Sequence, residues 1–283
     1  MSVAAKRLSS PPLWLCRLFD RIVCGVDGTE GSLVAVRQIA RLLPARRILE
    51  LVAVAEELPA WPSAVAQDER NRRYAEAQNA LVQARRIQPR AYGRVCFGDP
   101  GPTLATVALE APATLVAVGA PSSGRLGGHS HDSVGTHLLH NATCSVLIAR
   151  PCVRQDLFPH SVVVGHDGSS SAAAAAHLAD ELRHRFGADA RLVAATGGAP
   201  VARDRLAQEE DLDWCALNPV DALTAASKDA DLLIVGNRGL HGVNRLDSVS
   251  ERVGHLAHCS VLLLREPADG GDDVSDAVPD LEC

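Results

Sequence analysis

The chain states one pattern twice. Arg21-Ile22-Val23-Cys24-Gly25-Val26-Asp27-Gly28-Thr29 returns as Ser161-Val162-Val163-Val164-Gly165-His166-Asp167-Gly168-Ser169. Leu115-Val116-Ala117-Val118-Gly119 returns as Leu232-Leu233-Ile234-Val235-Gly236. Cys144-Ser145-Val146-Leu147-Ile148-Ala149-Arg150 returns as Cys259-Ser260-Val261-Leu262-Leu263-Leu264-Arg265. Three landmarks in one order mark tandem copies of a single unit. The repeat is too long for a solenoid and suits two whole domains, each large enough to bury a core within 283 residues.

Apolar residues make up 47% of the chain and aromatics only 3%. A core with so few rings is built from Val, Leu, Ile and Ala, as in buried parallel strands covered by small-residue helices. The net charge of -6 gives no support for a nucleic-acid surface, and no nucleic-acid partner is expected. No run approaches the ~18 apolar residues of a membrane span, so no membrane partner is expected. Leu13-Trp14-Leu15-Cys16 is interrupted by Arg17, Asp20 and Arg21, and residues 1–19 read as a lead-in rather than a signal peptide. The eight Cys are scattered with no CxxC, which fits reduced thiols in a cytoplasmic protein.

Within each copy, apolar runs alternate with helical patterns, the signature of βα units and a parallel sheet. The first copy (20–152) shows strands near 21–26, 48–54, 91–97, 113–118 and 144–149, and helices near 31–43, 66–87, 101–111 and 133–141. The second (159–266) shows strands near 161–166, 190–195, 212–216, 231–235 and 260–264. Asp27 to Gly119 is 23 residues longer than Asp167 to Gly236, and the missing length falls where the first copy has its charged second helix. The second helix of the second copy is therefore expected to be a stub. Residues 267–283, with five Asp, one Glu and no core pattern, read as an acidic disordered tail.

Each first strand ends in Asp-Gly-(Thr or Ser) before a helix. Two readings of Asp27 and Asp167 stand side by side. One is a carboxylate at the carboxyl edge of a central strand, where open α/β sheets bind ligands. The other is an N-cap or Asx-turn using the same side chain. The fourth strand of the second copy runs into Gly236-Asn237-Arg238-Gly239-Leu240-His241-Gly242, where glycines would let backbone N–H groups approach an anion and Arg238 adds positive charge.

These residues together resemble a tandem universal stress protein. The marks are the strand ending in Asp-Gly-Ser, Gly98-Asp99-Pro100 or Asn218-Pro219 before a helix, Val235-Gly236-Asn237-Arg238-Gly239-Leu240, and the closing Cys-Ser-Val-Leu run. The resemblance covers about 20–150 and 160–265. It implies an α/β fold of two tandem doubly wound domains, each a five-stranded parallel sheet of order 3-2-1-4-5 flanked by helices. It further implies an adenine-nucleotide (ATP) ligand, with no metal required for the fold, and a stress-response regulator rather than an enzyme. Carried over, its nucleotide-binding positions are Asp167, Ala195, Gly236, Arg238, Gly239, Ser248 and Val249 in the second copy, and Asp27, Val54, Gly119 and Ser133 in the first. It also implies last strands paired between domains as an intramolecular pseudo-dimer, with a homodimer as a further assembly.

Departures from the family's glycine signature stand out in both copies. Asp247 and Asp132 each occupy the third glycine's position, Ser122 replaces the second in the first copy, and the second copy's loop is two residues short. A carboxylate beside bound phosphates repels them by ~4 kcal/mol at 4 Å in an effective dielectric near 20. The alternative function is thus a nucleotide-free scaffold with degenerate sites. Three other features read more simply as structure. His129, His131, His137 and His140 fit a polar loop and helix better than a metal site. Cys144 and Cys259 fit buried small residues better than a redox pair. His166 reads as a polar strand end, beside the option that it tunes ligand affinity with pH.

Overall fold

A computed structural model describes residues 11–44, 47–56, 63–121, 134–197, 212–236 and 249–267. The first copy contributes α1 (Leu13–Cys16), β1 (Arg21–Gly25), α2 (Glu30–Leu42), β2 (Ile48–Ala55), α3 (Ser63–Ile87), β3 (Tyr92–Phe97), α4 (Pro100–Glu110), β4 (Leu115–Gly119), α5 (Val134–Asn141) and β5 (Ser145–Ala149). A 3-10 turn at Gln155–Leu157 leads into the second copy. There follow β6 (Ser161–Gly165), α6 (Ser170–Phe186), β7 (Asp189–Ala195), β8 (Leu212–Cys215), α7 (Pro219–Ala226), β9 (Leu232–Gly236), α8 (Val249–Leu256) and β10 (Ser260–Leu264). All but the first two residues of the stretch 196–210, where the stub is expected, and the acidic tail beyond 267 lie outside the described residues.

All ten strands join one sheet of order β3-β2-β1-β4-β5-β10-β9-β6-β7-β8. Each copy therefore shows the order 3-2-1-4-5, parallel throughout. The seam between copies is the antiparallel pair β5–β10, with Val146 opposite Leu263, Leu147 opposite Leu262 and Ile148 opposite Val261. The two strands are fully buried along their length. Pairing them removes two apolar edges that would otherwise template aggregation.

Burial on both faces explains why the central strands read as continuous Val/Ile/Leu runs. On one face, Ile22, Cys24 and Leu147 pack with α2, α3 and α6 through residues such as Ile39, Ala80 and Leu178. On the other, Val23, Val116 and Leu263 pack with α4, α5, α7 and α8 through Leu104, Leu138, Leu223 and Val253. Local sequence sets the helix starts. Thr29 and Ser169 cap α2 and α6 through side-chain acceptors for Ser32 N–H and Ala172 N–H. Asp99 and Asn218 cap α4 and α7, each with Pro in the first helical turn. Gly187 ends α6 in the left-handed region at φ +69.

The lead-in has more structure than its sequence suggests. Leu15, Leu18 and Phe19 are buried and join the core of the first copy. The linker between the copies is anchored too, because Phe158 is fully buried.

Candidate functional site at the carboxyl edge of each half-sheet

In each copy the first strand lies between strands added on opposite sides of it, β2 and β4 around β1, β7 and β9 around β6, so the strand order reverses there. Such a switch point opens a crevice outside the carboxyl ends of the strands. The register places the expected residues around it. Gly25 pairs with Val52 and Gly165 with Val193. Val26 N–H and His166 N–H make the last ladder bonds, to Val52 C=O and Val193 C=O, so Asp27 and Asp167 stand just past the strand ends. Gly119 and Gly236, the last residues of β4 and β9, flank the same two points from the other side.

Both carboxylates are exposed, and both form an Asx-turn. Asp27 Oδ1 accepts from Thr29 N–H at 2.9 Å and from Thr29 Oγ1–H at 2.6 Å. Asp167 Oδ1 accepts from Ser169 N–H at 3.0 Å. Gly28 and Gly168 take φ of +79 and +77 inside these turns, which only glycine adopts without strain. The capping reading and the ligand reading thus coexist: the turn fixes the carboxylate's direction while leaving it at the crevice. Such a group accepts hydrogen bonds from hydroxyl or amino groups of a ligand.

The glycines after the fourth strands have a different physical cause from the one their sequence context suggests. A Cβ on Gly119 would lie 2.2 Å from the backbone carbon of Gly31, and one on Gly236 would lie 2.6 Å from that of Ser171. Each glycine lets the strand end press against the first turn of α2 or α6. Helix packing accounts for both without a bound anion.

His166, equivalent to Val26, is buried, and its Nδ1 accepts from Gly168 N–H at 3.3 Å. It braces the Asp167 turn from below. Val249 begins α8 and is partly exposed. Arg238, Gly239, Ser248, Ser133, Asp132 and Asp247 lie outside the described residues, as do His129 and His131. His140, by contrast, has a carboxylate partner, from the other copy: its Nε2 is 2.8 Å from Glu251 Oε1. No group of three or more potential metal ligands occurs among the described residues. Burial pushes the thiol of Cys144 up to about 11 and those of Cys24 and Cys259 up to about 12, so all three stay protonated at neutral pH.

The seam holds residues that sequence reasoning passed over. Arg150 donates to the carbonyls of Gly254, His255 and Cys259, closing the C-terminal end of α8. Arg265 donates to Leu139 C=O at 2.8 Å, doing the same for α5. Ser260 and Ser145 accept from Arg150 N–H and Arg265 N–H across the seam. The signal was present in the matched Cys-Ser-Val-Leu runs, each of which ends in Arg.

The comparisons with known proteins agree with this architecture. The family model described as "Universal stress protein family" matches residues 18–150 and 204–265. Universal stress protein Rv2623 of Mycobacterium tuberculosis is 29% identical over 289 residues, spanning 87% of this chain and 96% of its own length. Universal stress protein Rv1996 of the same organism is 26% identical, spanning 88% and 96%. The crystal structure of a universal stress protein from Archaeoglobus fulgidus superposes with a TM-score of 0.65 at 18% identity, covering 87% of this chain and 98% of that one, a likeness of fold. No helix among the described residues is long and apolar enough to cross a membrane. With its family model matched over the first copy and the latter part of the second, and its fold shared, this chain belongs to the universal stress protein family.

Proposed function

We propose that this chain binds an adenine nucleotide and acts as a stress-response regulator rather than as an enzyme, with the better site in the second copy. The observation that supports this most is the placement of Asp167 at the switch point, just past the end of β6 and held by the Ser169 turn. This acceptor suits the nucleoside end of such a ligand, because a fixed carboxylate accepts from ribose hydroxyls. The phosphate end would fall to Arg238, Gly239 and Ser248. The two copies serve as an internal pseudo-dimer across β5–β10. Seven free cysteines among the described residues favour a reducing, cytoplasmic setting.

A specific observation favours a second reading, a nucleotide-free scaffold. Gly119 and Gly236 are explained by helix packing, and Asp132 and Asp247 stand where the signature has glycine. Mass spectrometry of small molecules released from the purified full-length protein separates the two. An adenine nucleotide at stoichiometric level is expected; its absence, together with no retention of added ATP, supports the scaffold.

A further inference from the structure

The sheet ends at β3, and this edge is built differently from the other end at β8. Gly98 N–H donates inward to Ala55 C=O. With a period of two, Arg94 and Cys96 also turn their backbone groups toward β2. Gly93, Val95 and Phe97 then present theirs outward, where no strand pairs with them among the described residues.

Helix α3 borders this edge with a stripe of side chains. The Arg70 guanidinium lies 4.6 Å from the Phe97 ring centroid, and Tyr74 stacks on Phe97 at 5.9 Å. Leu81 and Arg85 lie over Gly93, within 3.7 Å of where its Cβ would be. Arg72, Arg73 and Arg94 are committed to Glu69, Glu76, Glu56, Glu50 and Glu110. Arg70, Arg85, Arg86 and Arg90 are exposed and have no carboxylate partner among the described residues. The opposite edge, β8, carries Asp213 and a 42% exposed Trp214 instead.

We propose that the β3 edge is a docking surface for an extended acidic segment of a partner protein, bound as an added strand. Backbone groups of Gly93, Val95 and Phe97 provide the ladder, and the unpaired arginines select the charge. Main-chain bonds supply affinity in such strand addition, and flanking side chains supply specificity. Charge complementarity is the ground for choosing an acidic occupant over a second copy of this chain, whose β3 edge would bring the same arginines together. The proposal stands independently of nucleotide binding.

The test uses the full-length protein and a fluorescent peptide of about eight residues alternating Glu and Val, matched to the usual strand length. A Lys/Val peptide of the same length is the control. Anisotropy should show saturable binding of the acidic peptide, at least about tenfold tighter than the control and weakened by added salt. Gly93→Pro removes an outward N–H at a position where an edge strand tolerates proline, and should abolish binding. Arg70→Glu with Arg85→Glu should weaken it by about tenfold or more while leaving the backbone edge intact. Thermal midpoints confirm that both variants fold, and either variant alone suffices. Equal binding of the two peptides, binding unaffected by both variants, or no saturable binding overturns the proposal. So does concentration-dependent self-association of the chain that Gly93→Pro abolishes.

Discussion

At the scale of single residues, glycine does two separate jobs near the crevice. Gly28 and Gly168 supply a positive φ inside the carboxylate turn. Gly119 and Gly236 supply the absence of a side chain, because the first turn of α2 or α6 already fills the space. A sequence distinguishes these poorly, since both look like glycine near a strand end; only the opposing backbone tells them apart. Substituting Gly236→Ala should therefore destabilise the protein even without ligand. Overpacking costs typically ~1–3 kcal/mol, and here the obstacle is backbone rather than a movable side chain. Gly119→Ala should cost at least as much, its Cβ meeting Gly31 at 2.2 Å. Urea midpoints of the two variants check this. Unchanged midpoints would show that the helix ends yield, and would return these glycines to a ligand role.

Among secondary-structure elements, the seam between the copies is held by more than its ladder. Each last strand ends in an arginine that reaches across to the other copy's last helix. Arg150 is largely buried, and burial lowers its pKa from the ordinary guanidinium value. Arg150→Ala leaves the carbonyls of Gly254, His255 and Cys259 without this donor. Hydrogen bonds to charged groups contribute ~1.5–3 kcal/mol, so a loss of about that size is expected in chemical denaturation. A variant as stable as the parent would show that water replaces the guanidinium without cost.

Much of this layer was legible in the sequence. The expected helix at 66–87 is α3 at Ser63–Ile87, and the expected strand at 260–264 is β10 at Ser260–Leu264. Strong apolar runs between Gly, Pro and Asp punctuation carry that information locally. The short α1 and the buried Phe158 were not legible, because each depends on a surface supplied by distant parts of the chain. The carboxylates of the candidate site were legible as Asp-Gly-Thr and Asp-Gly-Ser. The Asx-turn that fixes Asp167 while leaving it exposed required the structure.

For the whole molecule, one ten-stranded sheet with thiols sealed inside it has a consequence for pH. Cys24, Cys144 and Cys259 sit in the core, with pKa values raised by burial to about 12, about 11 and about 12. An unfolded thiol titrates near ~8.5. The folded pKa exceeds the unfolded one, so the protons bind more tightly in the folded state. The resulting stability is fully present below about pH 8.5 and is lost as pH rises through the folded values, at about 1.4 kcal/mol per pH unit for each thiol within the window. Urea unfolding at several pH values between about 8 and 11 should show that decline. The triple variant Cys24→Ala, Cys144→Ala, Cys259→Ala should show a much shallower one, and equal slopes would mean that the thiols do not titrate on unfolding.

The proposed reading puts an adenine nucleotide at the switch point of the second copy, where Asp167 is held by the Ser169 turn. The direct test is isothermal titration of the full-length protein with ATP, in parallel with Asp167→Asn and Asp27→Asn. Asparagine keeps the turn's acceptor and removes the charge, so neither change should unfold the protein. Weak but saturable binding is expected in the parent, strongly reduced by Asp167→Asn and little changed by Asp27→Asn. No binding at about millimolar ATP, where an association free energy of roughly −4 kcal/mol would already register, or binding abolished by Asp27→Asn alone, would contradict the assignment.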